Sequence, residues 1–432
     1  MNHRLVNIII FYLIGISTIL YAGENSNQLQ TERLNAIYSK IDTIEKSSID
    51  FWLRFGRDTT DGSFYTTLDD SGQNTWPKQK FLISQSRYLW TFSTYYQRHP
   101  ENQEIKTICD NLYRFIVNNF FDPKARLFFS LIEEDGKKDI ELKRIYDNSF
   151  AIYALSEYAL TFGSDEAVDY ALTCFRSFDQ LTHDDINGGY EQTKIDVDSW
   201  MPEGAYKDAN THMHLLESLT RLYLVSKDEA VKVRIMELLD ILLNKIIQPE
   251  YYLHPNFLNN WELVGEPTVS YGHDLQVVWL IWETAKVFKL TDNENLRKTI
   301  TEMGIRSAQA GFDTEKGGYF FEGIPNGSVT NNVKSWWVQA EVLLGLWRLY
   351  KLTGDVEQIS RIEKTIDWID KYQINKRMGE WYMNIDTSGN VVDDYTFMSS
   401  FWKSNYHNLR ATMFLKDWIQ EEIKNNNAPG SN

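Results

Sequence analysis

The sequence predicts an all-α fold, an (α/α)6 barrel with short β-hairpins in the loops between its helices. Three observations point to it. A loose repeat of roughly 63 residues runs the whole length of the chain, each unit marked by a turn that meets aromatic residues. Between the marks, apolar residues recur at three- and four-residue intervals, the period of helices with one buried face. Neither end of the array carries the polar capping unit that an open stack of helix pairs needs, which favours a closed ring.

The marks are strongest at Asp61-Gly62-Ser63-Phe64-Tyr65, Asn187-Gly188-Gly189-Tyr190, Lys316-Gly317-Gly318-Tyr319-Phe320 and Met378-Gly379-Glu380-Trp381-Tyr382. The first two gaps are each twice the last, so two marks are missing. Weaker versions stand at Lys124 to Ser130 and at Tyr251 to Trp261, making six units. Leu215, Leu216, Leu219, Leu222 and Tyr223 form one helical stripe, and Ile235, Leu238, Leu239, Ile241 and Leu242 form the next. Each unit has room for two helices of about 15 residues and a hairpin, at ordinary element lengths.

Composition fits a single large domain over 35–424: 432 residues, 43% hydrophobic and 14% aromatic, with no Pro/Gly/Ser linker. A net charge of −16 argues against nucleic acid and anionic membranes as partners. His3 and Arg4 precede an apolar run from Leu5 to Ala22 broken by Asn7, Gly15, Ser17 and Thr18, which reads as a signal peptide over 1–22 and a secreted or periplasmic protein. No membrane attachment is expected after cleavage. Cys109 and Cys174, both within helical patterns, are expected as buried thiols, and 425–432 as a disordered tail.

Roughly 20 to 28 residues after each mark comes one polar or aromatic candidate: Arg87, Tyr146, His214, His273, Trp337 and His407. In a closed ring a recurring offset gathers all six at one end of the barrel, around its axis. Histidines carry protons near neutral pH, and the indoles of Trp279, Trp336, Trp337 and Trp402 suit the C–H faces of sugar rings. A metal site is not expected, because His212 and His214 point in different directions on a helix and no HExxH or cysteine cluster exists.

Five segments resemble the N-acylglucosamine 2-epimerase superfamily and, within it, the cellobiose 2-epimerase group: Ser86 to Ser93, Asn210 to Glu217, Ser270 to Asp274, Lys334 to Glu341 and Trp402 to Asn408. The resemblance spans about residues 45 to 420 and implies an (α/α)6 barrel working without metal or redox cofactor. It implies ring opening of a sugar, removal of the C2 proton to a cis-enediolate, and reprotonation from the opposite face. His273 and His407 match the two acid/base histidines, and Arg87 the cation that stabilises the enediolate oxygen. Tyr146, Asn210, His214, Trp279, Trp337, Glu341 and Trp402 match sugar-binding or supporting positions.

One position departs from the family, which usually carries His-x-x-Glu where this chain has His273-Asp274-Leu275-Gln276. Gln276 shares a helix face with His273 and is expected to reach the site and hydrogen-bond there, without supplying charge. Asp274 points away by helical phase, and Glu283 lies almost three turns on. The expected function is a 2-epimerase acting on the reducing-end residue of a β-linked disaccharide, cellobiose- or mannobiose-like, by a monomer or homodimer whose partner is a small sugar. Alternatives are an aldose–ketose isomerase of the same superfamily, a glycoside hydrolase or lyase on the same barrel, and a sugar-binding protein without catalysis.

Overall fold

The computed structural model describes residues 28–426 except 76–77, 139–142, 193–203 and 393–395. The leader at 1–22 lies outside the described residues, as does 427–432 of the expected tail. Asn425 and Asn426, counted in that tail, close the last helix. The first helix begins at 28, ahead of the expected start at 35. Among the described residues no helix is long and apolar enough to cross a membrane.

Twelve helices follow one another among the described residues. They are α1 (28–51), α2 (Leu82–Arg98), α3 (Gln103–Phe120), α4 (Ile145–Phe162), α5 (Asp165–Thr182), α6 (Ala209–Ser226), α7 (Glu229–Ile241), α8 (Tyr271–Phe288), α9 (Glu294–Ala310), α10 (Trp336–Thr353), α11 (Glu357–Trp368) and α12 (Tyr406–Asn426). Odd-numbered helices are amphipathic and form the outer layer. Even-numbered ones are buried nearly all round, as α4 is from Ile145 to Ala159, and form the inner ring. Each inner helix packs on the next, and α12 packs back on α2, so the ring is closed. The first outer helix seals the join: Arg33 pairs with Glu363 and Lys40 with Asp367 on α11, while Trp52, just beyond its end, donates to Glu380 at 2.7 Å.

Six hairpins join the outer helices to the inner ones, all at one end of the barrel. They pair Arg57 with Phe64, Phe121 with Phe128, His183 with Tyr190, Ile247 with Leu253, Phe312 with Tyr319 and Ile374 with Trp381. Four of the turns place Gly62, Gly188, Gly317 and Gly379 in the left-handed region, where glycine carries no Cβ penalty. In the two weak units the same place is held by Arg126 and Tyr251, each at φ 58°. Those turns are the same; only their glycine signature is lost.

A second repeated device ties five of the six hairpins to the inner helix that follows, and at the sixth Asn408 on α12 donates instead to the Glu380 side chain in the turn, at 2.9 Å. The backbone N–H of Phe64, Phe128 and Tyr319 donates to Gln85, Asn148 and Gln339, whose amides donate back to the same residues' carbonyls. Tyr190 donates likewise to His212 Nε2, and Leu253 to Asp274. Lysines brace the turns from beneath: Lys80 on Asp58, Lys143 on Asp122, Lys207 on Asp184, Lys334 on Asp313 and Lys403 on Glu380. Buried backbone donors and acceptors are thus satisfied at the barrel's crowded end. His212 and Asp274 are spent on this task and face away from the axis. Cys109 and Cys174 are buried free thiols, with the Cys109 thiol pushed up to about 12 by burial.

Candidate active site

Because every hairpin precedes an inner helix, the N-terminal halves of α2, α4, α6, α8, α10 and α12 converge at the barrel mouth. There they line a cavity of about 420 Å3, and Arg87, Tyr146, His214, His273, Trp337 and His407 all reach its wall. Asn210, Gln276, Trp336 and Trp402 do so as well, joined by Phe321, Ser335, Met383 and Asn384, which the sequence pattern does not single out. The six phase-selected residues are not strictly equivalent. Counted from the residue that ties down each hairpin, Arg87 and His214 lie two places on, while His273 and His407 lie one place back. They occupy one helical turn rather than one level.

The strictly equivalent level, two places beyond the ties, is Arg87, Phe150, His214, Gln276, Glu341 and Arg410. Of these, Arg87, His214 and Gln276 make the cavity floor, while Phe150, Glu341 and Arg410 stand behind it. The Arg87 guanidinium lies 4.4 Å from the Phe150 ring and donates to the Trp402 carbonyl (2.7 Å) and the Tyr146 hydroxyl (3.2 Å). Its fork is therefore fixed from both sides. His214 Nδ1 meets Glu217 at 2.8 Å, and His407 Nδ1 meets Glu341 at 2.6 Å. With a carboxylate as acceptor, each Nδ1 carries the proton and Nε2 is left for the cavity. Arg410, wholly buried, donates to both Glu217 and Glu341 and so couples the two pairs into one network.

Burial dominates the proton affinities here. It pushes His273 down to about 4, with His214 adding to the effect and Glu341 opposing it. It also lowers His407, helped by Arg87 and Arg410, and lowers His214 against the pull of Glu217. All three imidazoles are thereby held neutral at neutral pH. Burial raises the Glu341 carboxyl against Arg410. At Glu217 burial is outweighed by Arg410 and by bonds from His214 and Tyr406, which hold it at about 2.

His273 differs from its two counterparts. Its ring makes no side-chain hydrogen bond among the described residues and leans on Trp337, centroids 4.5 Å apart, while the His407 ring lies 6.2 Å from the same indole. Gln276 reaches the cavity as expected, but it does not hydrogen-bond as expected: its amide is 1% exposed and neither of its polar atoms has a partner. Asp274 points away, accepting from Ser307 and Leu253, with burial pushing its carboxyl up to about 6.

Two expected sugar-binding residues stand off the cavity wall. Trp279, six residues beyond His273 and so roughly 9 Å further along α8, donates from Nε1 to Glu341 at 3.2 Å. Glu341 is fully buried beneath the floor. Both support His407 rather than face a ligand. Glu217 and Arg410 are the supporting residues not picked out from the sequence. Each lies three places after a cavity histidine, the spacing that drew attention to Gln276.

A profile of the N-acylglucosamine 2-epimerase (GlcNAc 2-epimerase) family matches residues 62–411. A cellobiose 2-epimerase of Bacteroides fragilis is 28% identical over 379 residues, covering 84% of this chain and 94% of its own. A D-mannose isomerase of Marinomonas mediterranea is 23% identical over 370 residues, 81% of this chain and 90% of its own. Among solved structures, the cellobiose 2-epimerase of Spirochaeta thermophila superposes with a TM-score of 0.82 at 28% identity, covering 90% of this chain and 98% of that one.

Proposed function

The chain belongs to the N-acylglucosamine 2-epimerase family of carbohydrate epimerases and isomerases, and on that premise we propose that it inverts C2 of the reducing-end residue of a β-linked disaccharide such as cellobiose or mannobiose. The observation that carries the reading is the pair of neutral imidazoles, His273 and His407, that line one cavity together with Trp337 and the Arg87 guanidinium. Inversion needs proton transfer on both faces of the C2 plane, and a single base returns the proton to the face it came from. His273, with no anion beside it, is suited to start neutral and take the C2 proton. His407, paired with Glu341, is the ring whose protonated form has a counter-charge.

Arg87 supplies the electrostatic part. Negative charge develops on the sugar oxygens as the enediolate forms, and a guanidinium already held by Trp402 and Tyr146 needs no reorganisation to meet it. The N-terminal ends of the six inner helices add partial positive charge at the same mouth. Arg87→Lys is expected to lower kcat roughly 10²-fold with a smaller change in apparent affinity, because the charge survives but the fork does not. Steady-state kinetics would show this, and a change confined to KM would reassign Arg87 to ground-state binding.

Gln276 tunes the base. His273 must be neutral to accept a proton, so activity falls as pH drops through its pKa of about 4. A carboxylate at 276 would favour the imidazolium and raise that pKa. Gln276→Glu is therefore expected to move the acidic limb of the pH–rate profile upward, and an unmoved limb would mean that residue 276 does not act through His273.

A related reading, aldose–ketose isomerisation, draws on the similarity to a D-mannose isomerase and differs only in where the proton returns. Glycoside hydrolysis is disfavoured because no carboxylate among the described residues lines the cavity that holds the two histidines, Asp208 and Glu322 lining only the cavity beside it. Incubating cellobiose, mannobiose and mannose in heavy water tests all of these together with non-catalytic binding. Deuterium at C2 with inversion supports epimerisation, and ketose, cleavage products or unchanged sugar support the others. The same reading takes 35–424 as the catalytic domain and 1–22 as an export leader, which the mass of the secreted mature chain would test.

A further inference from the structure

The end of the barrel away from the hairpins holds a cavity of about 400 Å3 between the C-terminal halves of α8, α10 and α12 and the start of α9. Its place follows from helical rise. Trp282 and Trp418 lie nine and eleven residues beyond His273 and His407, so roughly 14 to 17 Å further along the same helices. Three indoles line it, Trp282 and Trp418 half-buried and Trp347 buried. Arg348 holds two of them together, its guanidinium 5.2 Å from the Trp282 ring and 5.3 Å from the Trp418 ring, and Arg297 stands 5.5 Å from Trp282. Much of the hydrogen-bonding capacity here is open. Arg297 donates to the Thr291 carbonyl at 3.3 Å and forms no ion pair among the described residues. Arg348 meets Glu283 through one nitrogen at 2.8 Å, while its buried Nε has no partner. Asp292 and Glu421, both exposed, form no hydrogen bond or ion pair among the described residues.

We propose that this cavity is a second saccharide site, which holds a pyranose unit of a neutral glycan far from the reaction cavity. Charges of both signs line it in near balance, Lys286 and Lys351 joining the two guanidiniums against Asp292, Glu421 and Glu422. A ligand of either net charge meets like charge there, whereas a hydroxyl donates to a carboxylate and accepts from a guanidinium. The half-buried indoles give apolar surface for the C–H face of the same ring. Stacking against the indoles fixes the guanidiniums before a ligand arrives, so little side-chain freedom is lost on binding. The volume is close to the 420 Å3 of the reaction cavity, room for a pyranose whose neighbours run out into solvent. The site does not depend on the epimerase reading. It holds the protein on a glycan while the mouth, at the opposite end, stays open to small sugars.

The test titrates methyl β-cellotrioside, methyl β-mannotrioside and methyl α-maltotrioside, none of which has a free aldehyde to react, into the wild type and two variants by calorimetry. One variant carries Asp292→Ala with Glu421→Ala, two exposed positions whose change leaves the packing intact, and the other carries Trp418→Ala. At least one glycan is expected to bind the wild type about tenfold or more tightly than the carboxylate variant, the scale of hydrogen bonds to charged groups, with kcat/KM for cellobiose unchanged. Trp418→Ala should weaken the same glycan. Equal binding of all three glycans by the wild type and the carboxylate variant overturns the proposal, and so does binding that survives loss of the indole. Because the readout is binding, a wild type inert on every sugar would sink the epimerase reading and leave this site standing, while an active enzyme with equal glycan binding throughout would do the reverse.

Discussion

Alanine at His273 or at His407 is expected to lower turnover by roughly 10² to 10⁴, the worth of a positioned general acid or base. The two changes should differ in stability. His273 has no side-chain hydrogen bond to lose, whereas removing His407 takes one of the partners from Glu341, which keeps Arg410 and Trp279. His273→Ala is accordingly expected to melt close to the wild type and His407→Ala lower. Isotope exchange separates their roles. A His407→Ala protein that still exchanges C2 hydrogen with heavy water, yet gives little inverted product, would identify His273 as the base that opens the reaction. Near-native turnover in either variant would end the two-histidine assignment.

The second large effect is expected from Arg410, which touches no cavity wall. Arg410→Met would leave Glu217 and Glu341 facing each other under the floor without their shared cation, and breaking a buried ionic cluster on one side costs about 3–5 kcal/mol. Chemical denaturation should show that loss. Restoring neutrality with Glu217→Gln and Glu341→Gln should recover much of the stability while activity stays low, since both histidines have lost their anchors. The acid response carries the same signature. Glu217 sits at about 2 when folded, below its ordinary 4.5, so its contribution is complete above about 4.5 and fades as pH falls toward 2. In Arg410→Met that acid-labile contribution should shrink. A variant as stable as the wild type would show that the network adds nothing to the fold.

The sequence by itself determined the count of units, the closed helical ring and the end of it where polar residues gather. Each depends on something local. A turn needing a left-handed residue favours glycine, an amphipathic helix shows its period, and a residue placed at a constant distance after a turn must emerge at a constant height. The two faint units were faint because Arg126 and Tyr251 adopt the left-handed conformation themselves, so the geometry persisted without its usual letter. Tertiary structure alone decided how deep each side chain sits and what it touches. Trp279 and Glu341 belong to motifs that face the mouth, yet they lie beneath the floor, because a helix carries successive turns away from the cavity at 1.5 Å per residue. Arg410 joins Glu217 on α6 to Glu341 on α10, residues separated by 193 and 69 positions from it. Spacing along one helix reports which residues share its face, but contacts across a barrel depend on the closure of the whole ring, and only the folded chain brings those three charges together.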